Sequence, residues 1–238
     1  MFEFQLVSPD GWSFEPSSVS INIDGSTDDC SLGKDINFIF KGFSVTGKVI
    51  SHKKSSGPAG VTVDLFSGNS ETALRTYITE NGGFFEFQNV FPGAYRILAS
   101  HSNWKFTSNE LKLDLGSNSA FITEGLEVLG YGVQGGVISD GEPIQGVIFS
   151  LYSQTEDVSS SCGLESVSTE VLNENWRTVC QTISNPKGQF IFPVVPSGKY
   201  KLIPLYQGES IKFDIQPSVV ELEVEDGDVL LSQKFEVL

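Results

Sequence analysis

The sequence predicts an all-β protein built from tandem antiparallel β-sandwiches, and three observations carry that expectation. The first is composition: 18 Phe against one Met, with 24 Gly and 10 Pro in 238 residues. Aromatic side chains fit pleated surfaces, while Gly and Pro punctuate strands with turns and interrupt helices. The second is a period of two in the apolar residues, as in Val61, Val63 and Leu65, or Val147, Phe149 and Leu151. That is the pattern of a half-buried strand. The third is an internal repeat.

The stretch Gly42-Phe43-Ser44-Val45-Thr46-Gly47-Lys48-Val49-Ile50 recurs as Gly130-Tyr131-Gly132-Val133-Gln134-Gly135-Gly136-Val137-Ile138, at an offset of 88. The next strand, from Gly60 through Val61, Val63 and Leu65, returns from Gly146 through Val147, Phe149 and Leu151. A third block, with Gly83, Phe85, Phe87, Val90, Gly93, Tyr95 and Ile97, matches Gly188, Phe190, Phe192, Val195, Gly198, Tyr200 and Leu202 at a constant offset of 105. Two strands and the turn between them are repeated, with Phe91-Pro92-Gly93 and Pro196-Ser197-Gly198 as the sharp turns. The growth in offset from 86, between Gly60 and Gly146, to 105 places 19 extra residues in the second copy, around Ser153 to Gln181. Their Ser-rich start at Ser159, Ser160 and Ser161 reads as a loop insertion over 154–181.

Residues 1–41 parallel the back half of a unit, because Leu6 to Phe14 matches Leu98 to Phe106, including Trp12 and Trp104. Val19, Ile21 and Ile23, then Ile36, Phe38 and Phe40, alternate as closing strands before Gly42. The expected organisation is therefore a C-terminal part of a sandwich at 1–41, a full repeat at 42–129, and a repeat with an insertion at 130–238. Phe235 to Leu238 stands where another Gly-aromatic junction is expected to follow.

Fifteen Lys and Arg against 30 Asp and Glu leave a net charge of −15, which repels phosphate backbones and anionic lipid, so nucleic acid is not expected as a partner. No stretch approaches the length of apolar sequence that spans a bilayer, and the start of the chain lacks the features of a secretory signal. Three cysteines, Cys30, Cys162 and Cys180, show no CxxC spacing for zinc or redox chemistry.

Units of about 90 to 110 residues carrying Gly-x-Phe-x-Phe-x-x-Val-x-x-Gly-x-Tyr resemble prealbumin-like, Ig-like modules of the carboxypeptidase-regulatory and carbohydrate-binding-like group. The resemblance narrows over Pro9-Asp10-Gly11-Trp12-Ser13-Phe14, Asp35-Ile36-Asn37-Phe38, Tyr95-Arg96-Ile97-Leu98-Ala99-Ser100-His101, Gly198-Lys199-Tyr200-Lys201-Leu202 and Gln233-Lys234-Phe235. Through nearly its whole length the chain resembles the nodal modulator family, covering the end of a first lumenal repeat and the two after it. That resemblance implies part of a single-pass endoplasmic reticulum protein whose signal peptide and anchor lie outside these residues. It implies partners too: nicalin, a small multipass membrane protein and the translocon, in a complex that assists multipass membrane-protein insertion. An association with nodal signalling also attaches to the family. No membrane contact by this segment and no cofactor is expected.

No catalytic constellation stands out, since His52 and His101 are the two histidines and neither a Gly-x-Ser-x-Gly elbow nor a His-Glu-x-x-His motif occurs. Both histidines are expected on the surface. The acidic runs Asp24 to Asp29 and Glu225 to Asp228 offer oxygens for calcium, yet Asp29 stands where an EF-hand needs Gly. Turn chemistry and solubility account for both runs, and no metal, cofactor or catalytic residue is assigned. Trp12, Phe14, Trp104 and Phe106 are either shared packing positions or an aromatic platform for sugars. A non-catalytic structural and interaction array is thus the leading reading, and a carbohydrate-binding module the alternative. Trp176, in the insertion, has no counterpart in the other unit.

Cys162 and Cys180 both fall in the insertion, and the lumenal setting that the resemblance implies permits their oxidation. The expectation is a Cys162–Cys180 disulfide with Cys30 unpaired, closing a loop worth on the order of 3 kcal/mol. Three free thiols, or a Cys30 bridge to another molecule, are the competing states. Non-reducing peptide mapping should yield one crosslinked Cys162–Cys180 peptide, and recovery of both as free thiols would refute the pairing.

Overall fold

The computed structural model describes residues 1–23, 25, 26, 33, 35–154, 171–173, 175–207 and 212–238. Within them every regular element is a strand and no helix is present. The first segment carries β1 (Phe2–Gln5), β2 (Trp12–Glu15) and β3 (Ser18–Ile21). A long β4 (Ile39–Lys48) leads to β5 (Ile50–Ser51), β6 (Thr62–Ser67), β7 (Arg75–Ile78) and β8 (Phe84–Val90). After the copied turn come β9 (Gly93–Ser100), β10 (Lys105–Ser108), β11 (Glu110–Leu115) and β12 (Ala120–Ile122). A second long strand, β13 (Glu127–Ser139), opens the last segment with β14 (Glu142–Pro143), β15 (Ile148–Ser153), β16 (Val171–Asn173) and β17 (Trp176–Ile183). It continues as β18 (Gln189–Val195), β19 (Gly198–Gln207), β20 (Lys212–Phe213) and β21 (Ile215–Gln216). The final strands are β22 (Val220–Val224), β23 (Val229–Leu230) and β24 (Phe235–Val237).

The expected tandem sandwiches are present. In the middle unit the sheet β7-β6-β9-β11 packs against β8-β4-β12. Val63, Leu65, Phe85, Phe87, Ile97 and Ala99, all at most 2% exposed, fill the space between. In the last unit the sheet β16-β17-β15-β19-β22 packs against strands centred on β13. There Phe149 stacks on Phe190 with ring centroids 3.8 Å apart, and Phe235 meets both edge-on. Each buried aromatic removes a large apolar area from water, which accounts for the Phe-rich composition. The pairings are mainly antiparallel, with four short parallel ones, β12 to β4 and β5, β23 and β24 to β13.

The long strands tie the units together. β4 pairs through Ile39 to Phe43 with β2 and through Phe43 to Lys48 with β8. In the same way β13 pairs through Glu127 to Gly130 with β5 and β10 of the middle unit, and through Tyr131 to Gly136 with β18 of the last. One ladder of backbone hydrogen bonds passes from each sandwich into the next without a linker. In the first segment β1 pairs with β3, leaving Phe2 and Phe4 exposed.

The loop insertion over 154–181 needs correction at its end. Residues 155–170 lie outside the description, but Trp176–Ile183 is strand β17, paired along β15 with Thr178, Val179 and Cys180 buried. Ile148 faces Ile183 as Thr62 faces Ile78, so β17 is the lengthened counterpart of β7. Its β-branched run Thr178, Val179, Thr182 and Ile183 favours a strand wherever an edge is open to pair with.

Glycine marks each crossing point because two backbones nearly touch there. A Cβ on Gly42, whose φ is +132°, would lie 2.7 Å from the backbone of Asn89 and Val90. One on Gly130 would lie 2.6 Å from the carbonyl carbon of Val195. Gly136, by contrast, has its nearest neighbour at 3.7 Å. Gly42→Ala and Gly130→Ala should each cost about 2 kcal/mol or more in urea unfolding, with Gly136→Ala close to neutral. Unfolding of Gly130→Ala at the parent midpoint would contradict the close approach.

Candidate interdomain interface

The junction between the second and third sandwiches gathers most of the residues that the sequence singles out. β10 lies against the start of β13, placing Trp104 beside Tyr131, edge to face at 5.0 Å and 85°. On the other side His101 stacks on Trp104 with ring centroids 3.7 Å apart. The indole Nε1–H donates to Asp228 Oδ1 at 2.8 Å, and the Gly132 amide donates to the same oxygen at 2.7 Å. Gly132 leaves room for this, since a Cβ there would sit 3.3 Å from that oxygen. One carboxylate from the loop before β23 thus fixes an aromatic ring of one unit and the backbone of the next.

A second network lies alongside. The Ser51 hydroxyl, at the end of β5, donates to Asp226 Oδ1 at 2.7 Å and therefore accepts from the Tyr131 hydroxyl at 2.5 Å. Ser56 donates to Asp226 Oδ2 at 3.3 Å, and the Lys54 ammonium stands 3.7 Å from Oδ1. Tyr131 is fully buried, and that burial pushes its phenol far above the usual range, so it is always a donor here. His52, in the same turn, pairs through Nδ1 with Glu127 at the start of β13.

The first junction repeats the geometry with different chemistry. Trp12 meets Phe43 edge to face at 5.1 Å and 83°, and Phe40 packs on both rings. The Ser44 amide, in the place of Gly132, donates to the Gly11 carbonyl at 2.7 Å. Ser119 precedes β12 as Asp228 precedes β23, and its buried Oγ has no partner among the described residues. An apolar cluster does at one junction what a carboxylate does at the other.

Three consecutive family models match this arrangement. The BOS complex subunit NOMO1-like first beta sandwich domain matches residues 1–38, its second beta sandwich domain 40–129, and the NOMO third transthyretin-like domain 132–238. BOS complex subunit NOMO1 of Homo sapiens is 40% identical over 240 residues, covering 100% of this chain and 20% of its own length. The chain belongs to the nodal modulator family. The NOMO1 of Mus musculus is also 40% identical, with the same coverage. Nicotinic receptor-associated protein 4 of Caenorhabditis elegans is 25% identical over 225 residues, covering 92% of this chain and 19% of its own. This nodal modulator chain spans about a fifth of the length of these curated relatives. Among solved structures, the Bacillus anthracis TIE protein aligns at TM-score 0.35 and 14% identity, over 82% of this chain and 34% of that one. The minor pilin GBS52 of Streptococcus agalactiae aligns at 0.31 and 14%, over 82% and 96%. Scores this low carry no functional implication.

Both histidines, expected on the surface, are half-buried at the junction of this nodal modulator segment, because the turns carrying them face the neighbouring unit. Among the described residues no three His, Cys, Asp or Glu side chains converge to hold a metal. Asp226 and Asp228 are spent on the interface, while Asp24, Asp28 and Asp29 lie outside the description. Trp12 and Trp104 are half-buried with their rings engaged by aromatic neighbours. Lys201 sits 4.6 Å over the half-buried Trp176 ring. Cys180 is buried and disulfide-bonded. Cys30 and Cys162 lie outside the described residues. The interface is not legible in the sequence, because its partners lie in different units, with Trp104 and Asp228 separated by 124 positions.

Burial on Trp104 holds the His101 imidazole below the ordinary histidine range, and the Asp228 carboxylate opposes that effect. The folded value is depressed, so the stabilisation is present above the unfolded value of about 6.5 and is lost as pH falls through the folded value. NMR titration of the imidazole protons should show His101 titrating below a free histidine, and lower still in Asp228→Asn. Titration at or above the free value would remove the stacking explanation.

Proposed function

We propose that this chain is a non-catalytic, lumenal structural and interaction segment of a BOS complex subunit in the endoplasmic reticulum membrane. It acts with nicalin and a small multipass membrane protein at the translocon during multipass membrane-protein biogenesis. The observation that carries this reading is 40% identity along the whole chain to human BOS complex subunits. Two features support a structural role. Each junction strand belongs to two sandwiches, which limits bending, and both histidines are committed to interface contacts rather than to a cleft. The units are taken as 1–41, 42–129 and 130–238, divided at the glycines where the strands cross over. Within the last unit we propose Cys162 as the partner of Cys180.

The carbohydrate-binding alternative needs exposed aromatic faces, whereas the Trp104 ring is covered by His101 and abutted by Tyr131. Affinity purification of the full-length protein from endoplasmic reticulum membranes, with crosslinking mass spectrometry, should recover nicalin and place crosslinks on this segment. Absence of nicalin and of translocon components would overturn the reading. Specific glycan-array binding that is lost in Trp104→Ala would favour the alternative.

A further inference from the structure

The third sandwich keeps open a groove that the second sandwich fills, and we propose that it binds an extended acidic peptide presented by a partner protein. The groove, about 530 Å³, crosses β13 between the start of β18 and the segment from Leu230 to Lys234 that links β23 to β24. On β13 it is lined by the run from Gln134 to Ile138. Gly135 is required by packing, since a Cβ there would lie 2.6 Å from the Phe190 ring. Gly136 is not, because the nearest atom that a Cβ there would meet lies 3.7 Å away.

The middle unit shows what occupies this place in the other copy. Lys48 stands where Gly136 stands, paired with Phe84 as Gly136 is paired with Gln189, and its ammonium lies 4.3 Å over the Phe84 ring. Likewise Glu86, opposite Thr46, is replaced by Ile191 opposite Gln134. Between the two copies the groove has lost a filling side chain and an acidic wall.

The lining that remains selects the occupant. Lys187 and Lys234 are its charged residues, both exposed and without an ion pair among the described residues. No carboxylate lines it, in a chain with 30 acidic residues against 15 basic ones. Ile191 and Leu230 form apolar walls at 55% and 70% exposure. The lining aromatic, Phe190, is 2% exposed, so no ring face is available for a sugar. Cations beside apolar walls and side-chain amides suit a polypeptide with carboxylates at one end and an apolar residue following. Direction follows from Asp228, which lies beyond Gln134 and Ile191 in the adjoining hollow and repels acid there.

This proposal deepens the interaction reading and fails separately from it, since loss of peptide binding leaves nicalin co-purification untouched. A fluorescein-labelled peptide, three acidic residues followed by alternating Val and Thr, is titrated with the whole chain and read by anisotropy. Saturable binding is expected, weakened about tenfold or more in Lys187→Glu/Lys234→Glu. Gly136→Val should abolish it without lowering the melting midpoint. A peptide with lysines in place of the acids should not bind, and inorganic phosphate should not compete. No binding, equal binding by the double lysine variant, or displacement by phosphate at equimolar concentration would each overturn the proposal.

Discussion

The architecture depends on a strand that belongs to two sandwiches at once. In β13 the residues from Glu127 to Gly130 complete the middle unit and those from Tyr131 onward begin the last. Peptide groups paired on both sides of the crossing leave little freedom at the joint, because a bend would break ladder hydrogen bonds in a buried setting. The glycine at the crossing lets the copied turn approach to within a van der Waals distance of the backbone. Everything else at the joint decorates that continuous ladder.

The two joints show how one geometry accepts different side-chain chemistry. Where Phe40, Phe43 and Trp12 cluster, apolar burial and edge-to-face packing hold the units. At the second joint Asp226 and Asp228 accept hydrogen bonds from serines, an indole and a backbone amide. Such charge-assisted bonds are stronger than neutral ones and more sensitive to pH. The repeat therefore conserves the Trp and its aromatic neighbour while the polar partners diverge, as expected when the strand rather than any one contact sets the angle.

Divergence between copies also makes the outer face of the last unit different from its predecessor. Replacing a long side chain by glycine at a half-buried strand position sacrifices strand propensity. Packing does not explain Gly136; the proposed peptide groove does.

The sequence by itself determined the fold class, the strand repeat and the family. Period-two alternation and turn glycines are local signals, and a duplicated pattern reports its own register, as in the blocks from Gly42 and Gly130. It also marked Trp12 and Trp104 as shared positions. What it could not supply was the partner of each polar residue. Asp226 and Asp228 read as a solvated turn, and His52 and His101 as surface residues, because their partners come from another unit. The end of the insertion was likewise decided in three dimensions, where the open edge of β15 drew Trp176–Ile183 into a strand. Backbone alternation is written along the chain, whereas contacts across a joint exist only once two folded units are brought together.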